Sequence, residues 1–158
     1  MTEATEALLT IRQTMKFYDS CLEGVRRRHG LSRIEVVIMS FLGNNPGFDS
    51  VGEISGMRML SKGNVSRGAD SLCRRGLLER CPDREDRRAV HLLLTPQAAP
   101  VVNEIEDAAR QFARQAFRGF EPGELGLFRD YNRRLRENLG QDPERSGLSD
   151  GNTNAESE

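Results

Sequence analysis

The chain has 158 residues, 23 lysines and arginines against 24 aspartates and glutamates, and a formal net charge of -1. That length suits one domain with a substantial core, and no run of about 18 apolar residues is present to span a bilayer. The first residues, Met1 to Glu6, are acidic, unlike a secretory signal, and the three cysteines (Cys21, Cys73, Cys81) form no CxxC pair; both features make the cytoplasm the expected compartment.

Leu8, Ile11, Met15, Tyr18, Leu22 and Val25 recur at spacings of three and four, which predicts a helix from about Glu6 to Arg28, stopped by Gly30. Ser32 and Glu35 then form a capping-box pattern, opening a helix with Ile34, Val37, Ile38, Phe41 and Leu42 on one face. Asn44-Asn45-Pro46-Gly47 ends it. A second box, Ser50 with Glu53, starts a short helix to Arg58 that is expected to bury Ile54 and Met57. Ser61 caps the next helix, whose inner face is Val65, Ala69 and Leu72 and whose expected left-handed cap is Gly76.

Leu77 to Cys81 and Ala89 to Leu94 read as two strands around an arginine-rich loop, Asp83 to Arg88. Thr95-Pro96 carries a helix-start pattern, with threonine as cap and proline at the first helical position. The helix that follows, to about Arg118, has an apolar seam of Val101, Ile105, Ala108, Phe112 and Ala116. Gly119 breaks it, and Glu121-Pro122 opens a last helix with Leu125, Phe128, Leu135 and Leu139. The chain then turns polar and acidic, and 140–158 is expected to be a disordered acidic tail.

The expected fold is therefore mainly α with a small β-hairpin wing. A winged helix-turn-helix over 31–95 is flanked by helical dimerisation segments at 6–30 and 96–139. The apolar seams at the two chain ends form more helix than one winged domain needs, and a homodimer is the simple way to bury them.

Charge is distributed unevenly. Residues 58–88 carry nine basic side chains against five acidic, while 141–158 carries one against five. Local charge governs attraction to phosphate, so the basic segment points to double-stranded DNA as partner despite the balanced total. In the proposed reading helix, Ser61, Lys62, Asn64, Ser66 and Arg67 are the polar residues not needed for packing. A helix N-terminus attracts phosphate, lysine and arginine meet phosphate or guanine, and asparagine can pair with adenine at two points. Arg84, Arg87 and Arg88 of the loop are suited to the backbone or the narrow minor groove, with Asp86 expected to pair with one arginine and hold the loop.

These same residues resemble the MarR family of bacterial transcription regulators. The resemblance is carried by Gly52-Glu53-Ile54-Ser55, Val65-Ser66-Arg67, Arg75-Gly76-Leu77-Leu78, Asp86-Arg87-Arg88-Ala89 and Leu94-Thr95-Pro96, and follows element order from about Leu8 to Leu139. It implies a dimeric winged helix-turn-helix repressor on a pseudopalindromic operator, released by a small aromatic or phenolic effector or by an oxidant. Met59 stands where the family's turn favours glycine, and Gly68 and Ala69 stand where bulkier aliphatic residues are common.

For an effector site between the first, second and fifth helices, the candidates are Arg12, Lys16, Tyr18 and His29. Thiol sensing through Cys21, Cys73 or Cys81 is the alternative within the same fold. A winged helix used for protein–protein contact is the alternative outside it. No nucleophile–base pair or phosphate-cradling glycine loop suggests an enzyme, and two scattered histidines suggest no metal or other cofactor.

Overall fold

The computed structural model describes residues 1–86 and 88–140. Of the expected tail 140–158, Gly140 is helical, and 141–158 lies outside the described residues, as does Arg87. The chain divides into two compact units, Met1–Ala116 and the segment from Phe117 onward.

The first unit begins with α1 (Glu3–His29), capped by Thr2, three residues earlier than the apolar spacing implied. Gly30 closes it in the left-handed conformation at φ 60°, and the Leu31 amide returns to the Arg26 carbonyl at 2.9 Å. Next come α2 (Arg33–Asn44) and α3 (Val51–Arg58), and both expected capping boxes are formed. The Ser32 and Ser50 hydroxyls accept the Glu35 and Glu53 amides, and those carboxylates accept the serine amides in return.

Met57 is a correction. It is exposed, and Ser55 is buried in its place with its hydroxyl donating to the Leu60 carbonyl at 2.5 Å. Burial of this short helix rests on Ile54 alone among its large apolar side chains, so the helix is held by its cap and by Arg58, whose guanidinium lies over the Phe41 ring at 5.5 Å.

α4 (Lys62–Arg74) ends in a Schellman motif. Gly76 takes φ 69°, its amide bonds the Cys73 carbonyl, the Leu77 amide bonds the Leu72 carbonyl, and Leu77 is buried beside it. β1 (Leu78–Pro82) and β2 (Val90–Leu94) pair antiparallel with Leu78 opposite Leu94 and Cys81 opposite His91. The Leu92 amide donates to the Asp49 carbonyl at 2.8 Å, fastening β2 to the loop before α3.

Thr95 does not cap with its side chain. Its hydroxyl donates to the Gly76 carbonyl at 2.6 Å, and Pro96–Ala98 forms a 3-10 turn leading into α5 (Ala99–Ala116). Threonine thereby ties the end of the hairpin to the end of α4, a task the sequence pattern assigned to local capping.

α2 is the centre of the core. Val36, Ile38, Met39 and Phe41 are all buried, so the helix is covered on more sides than the single face Ile34-Val37-Ile38-Phe41-Leu42 implied. α4, α5 and β2 all pack on it, and α1 lies along α5. The N-terminal half of α1 is different: Leu8, Ile11 and Met15 are 62%, 48% and 65% exposed.

The second unit contains α6 (Pro122–Gly140), which buries none of its side chains. Leu127, Phe128, Tyr131, Leu135 and Leu139 are exposed along it, and Phe117 packs edge-on against Phe120 and Phe128. Among the described residues no helix is long and apolar enough to cross a membrane.

Two departures noted in the sequence have physical reasons here. A Cβ on Gly68 would sit 2.8 Å from Ile38 Cδ1 and 3.2 Å from two Ile34 carbons, so glycine lets the α4 backbone settle onto α2. Gly68→Ala should lower stability by about 1 kcal/mol, since overpacking of about 1–3 kcal/mol outweighs a helix-propensity gain of about 0.5–1 kcal/mol. Met59 is the one described non-glycine residue at positive φ, 53°, and is 91% exposed. Met59→Gly should raise stability by about 1 kcal/mol by relieving the left-handed backbone. Urea denaturation of the two variants beside the parent checks both signs.

Candidate nucleic-acid interface

Ser61, Lys62, Asn64 and Arg67 are exposed on the first turns of α4, while Ser66 is half-buried. Their exposure follows from the opposite face: Val65, Gly68, Ala69 and Leu72 are buried, which leaves the remaining positions facing water. Ser61 is the N-cap, its hydroxyl accepting the Asn64 amide at 3.2 Å. The Arg67 guanidinium donates to Asn64 Oδ1, so these two side chains form one polar unit. Lys62 is in no ion pair among the described residues.

The hairpin is cross-tied to this helix. Arg80, on β1, donates to Asp70 Oδ1 at 2.8 Å and reaches the Ser66 carbonyl at 3.5 Å. The tie joins the first strand of the hairpin to α4.

Within the loop, Arg84 and Arg88 are exposed and, among the described residues, form no ion pair. Asp86 does not pair with a described arginine side chain. Its Oδ1 accepts the Arg88 amide at 2.9 Å, and its backbone carbonyl accepts the Ala89 amide. Asp83 also holds the loop: its Oδ1 accepts the Glu85 and Asp86 amides, both at 2.7 Å. A short Asp side chain two and three residues before the amides it caps is a local signal that could have been read from the sequence.

Beneath α4 lies a buried polar node that sequence reasoning missed. Glu35, 4% exposed, accepts from the Ser71 hydroxyl at 2.6 Å and the Ser32 amide at 2.7 Å. Arg75 stands 3.8 Å from it and also donates to the carbonyls of His29 and Gly30. One arginine thus joins the end of α4 to the α1–α2 junction.

The four effector-site candidates are not brought into one site. Arg12 and Lys16 line a groove on α1 with Met15 and Asp19. Tyr18 packs edge-on against Phe112 at 5.2 Å, and His29 Nε2 is bonded to Glu104 at 3.0 Å. The larger opening, between α1 and α5, is bordered on α1 by Ser20, Cys21, Gly24, Val25 and Arg28, and not by Tyr18. That opening, about 760 Å³, is lined by Cys21, Gly24, Arg28, Glu104, Gln111 and Arg114 among others. All three cysteines are half-buried. Among the described residues no three His, Cys, Asp or Glu side chains are grouped to hold a metal ion.

Residues 29–89 match the model of the MarR family. The chain is 28% identical over 79 residues to YsmB of Bacillus subtilis, an uncharacterized HTH-type transcriptional regulator, covering 50% of this chain and 54% of that protein. The match thus spans about half the length of that relative. A MarR-family transcriptional regulator from Silicibacter pomeroyi has the same fold, with a TM-score of 0.74 at 23% identity over 84% of this chain and 89% of that one. BpsR of Bordetella bronchiseptica, whose DNA binding is regulated by 6-hydroxynicotinic acid, superimposes with a TM-score of 0.65 at 21% identity, over 83% and 98% of the two chains.

Glu35 gives the interface a pH dependence. Burial is the largest influence on its carboxyl and raises the pKa, but hydrogen bonds from Ser71 and Ser32 and the charge of Arg75 together bring it below the ordinary 4.5. A depressed folded-state pKa contributes stability that is full above 4.5 and is lost as pH falls through the lower folded value. Glu35→Gln should cost about 1–3 kcal/mol at neutral pH, from donors left poorly matched. The gap between variant and parent should narrow below pH 4.5, as read from urea midpoints between pH 3 and 7.

Proposed function

We propose that the chain is a DNA-binding transcription regulator of the MarR family, whose model matches residues 29–89. It acts as a homodimer on a pseudopalindromic operator, in the cytoplasm, most simply as a repressor released by a small aromatic or phenolic effector. The observation that carries the reading is the cross-tied surface. An exposed helix N-terminus bearing Lys62, Asn64 and Arg67 is fixed by Arg80 and Asp70 to a hairpin whose Arg84 and Arg88 have no described ion-pair partner.

In this reading Ser61, Lys62, Asn64, Ser66 and Arg67 address the major groove, and Arg84, Arg87 and Arg88 address the minor groove or backbone. Uncommitted guanidinium groups repel one another unless anions meet them, which favours a phosphate-rich partner. Homodimerisation is supported by the exposed Leu8, Leu9, Ile11 and Met15 of α1 and, separately, by the exposed apolar residues of α6. A second copy covering these faces removes them from water. An effector role is supported by the opening between α1 and α5, where Arg114 supplies positive charge beside Arg28, itself paired with Glu104. The fold is shared with BpsR, whose DNA binding is regulated by 6-hydroxynicotinic acid.

The test is fluorescence anisotropy with DNA from the chain's own promoter region over a range of salt. Arg67→Ala should cost about 1–3 kcal/mol and relax sequence preference. Arg88→Ala should weaken binding to all sequences and lower the salt slope by about one. Half-sites should lie about 10 base pairs apart, centre to centre. Unchanged affinity and slope in both variants would sink the assignment, and a parent protein with no sequence preference would favour a protein–protein role.

A further inference from the structure

The wing loop is anchored at a point that the established contacts of the hairpin do not use. Asp83 faces two ways. Its Oδ1 shapes the loop by accepting the Glu85 and Asp86 amides, while its Oδ2 lies 3.0 Å from His91 Nε2. The other ring nitrogen, Nδ1, lies 2.6 Å from Asp49 Oδ1. An ionised carboxylate only accepts hydrogen bonds, so a ring with a carboxylate on each nitrogen needs a proton on both. The imidazolium is favoured accordingly: hydrogen bonding to Asp49 and then to Asp83 raises the His91 pKa to about 9. Hydrogen bonds from the Asp86 amide, His91 and the Glu85 amide hold Asp83 at about 2.

Asp49 is itself fixed. Its carbonyl accepts the Leu92 amide, and its amide donates to Glu53 Oε2 at 2.9 Å, the same oxygen that caps the start of α3. A continuous path therefore runs from the loop turn through Asp83, His91 and Asp49 to the N-terminus of α3. The charged and titratable groups around the ring are Asp49 before α3, Glu53 on α3, Asp83 in the loop and Cys81 directly across on β1.

A partly exposed ion pair adds little to global stability. Its effect here is on orientation. A two-stranded hairpin attached only at its base samples many positions, and ordering it on DNA costs entropy. Fixing the loop beforehand removes that cost.

We propose that His91 is a positioning residue for DNA binding: by bridging Asp49 and Asp83 it holds the wing loop in one orientation relative to α3, so that Arg84 and Arg88 meet the duplex when α4 enters its groove. The proposal rests on the regulatory reading above. It adds to that reading a third residue class, neither base-reading nor phosphate-binding, on which the wing contacts depend.

The experiment is a double-mutant cycle on a promoter fragment that the parent protein binds, using His91→Gln, Arg88→Ala and the pair. His91→Gln should weaken binding about 10-fold and lower the salt slope by about one, as expected when one wing contact is lost. In that background Arg88→Ala should add less than about 2-fold, because the contact it removes is already gone. Asp49→Asn, which leaves the ring in place, should show the same loss of coupling should His91→Gln fold poorly. Without DNA, long-range proton–nitrogen NMR at pH 8 should show both His91 nitrogens protonated. Amide exchange of Glu85 and Asp86 should accelerate in His91→Gln.

Full additivity of His91→Gln with Arg88→Ala, or a ring that titrates near 6.5, would overturn the proposal. A parent protein that binds no DNA would overturn the regulatory reading and the DNA role of His91 together. Parent binding with His91→Gln unchanged would overturn this inference alone.

Discussion

The close approach of α4 to α2 at Gly68 is the constraint on which the reading surface depends. With no Cβ at that position, the α4 backbone comes down onto Ile34 and Ile38, and Val65, Ala69 and Leu72 follow it into the core. Burial of this face decides which side chains remain outside. Lys62, Asn64 and Arg67 are exposed because the other side of the helix is committed. The same contact carries the polar node of Glu35, Ser71 and Arg75, where hydrogen bonds and charge offset the cost of burying a carboxylate. Apolar packing sets the depth and rotation of the helix, and the node links its end to the end of α1.

The hairpin depends on this placement in turn. Arg80 ties its first strand to α4, Thr95 ties its second strand to the end of α4, and Leu92 and His91 tie it to the loop before α3. Each tie is modest alone, since solvent screens exposed charge pairs. Together they restrict a two-stranded sheet that would otherwise be marginal in water. Arg28 and His29 both bond Glu104 of α5, and the His29 carbonyl is held by Arg75, so the α1–α5 pair is connected through hydrogen bonds to the base of α4. That arrangement gives the walls of the opening between α1 and α5 a physical connection to α4.

Much of the helical framework was legible because its signals are local. Both capping boxes, the glycine stops at Gly30 and Gly76 and the reading helix from Ser61 involve residues within a few positions of one another. The resemblance to the MarR family rested on the same local motifs and is upheld by the 29–89 match and by the fold. Met57 was misread because a helix of eight residues makes few tertiary contacts, and its apolar period does not say which face is covered. Arg12, Lys16, Tyr18 and His29 share residue type and proximity in sequence, which do not fix their direction. Helical rotation and packing then sent Tyr18 toward Phe112 and His29 toward Glu104.

By itself the sequence determined the order of the helices, most of their caps, where the basic segment lies and which residues at the start of α4 face away from the core. Those properties follow from hydrogen bonds closed within one turn and from apolar spacing, which need no knowledge of distant chain. Only the tertiary structure decided that α2 is buried on several sides, that Gly68 lies against Ile34 and Ile38, and that His91 links Asp83 to Asp49. The reason is distance along the chain: Ser71 reaches Glu35 across 36 residues and His91 reaches Asp49 across 42. Partners that far apart are selected by packing, and no local pattern encodes them.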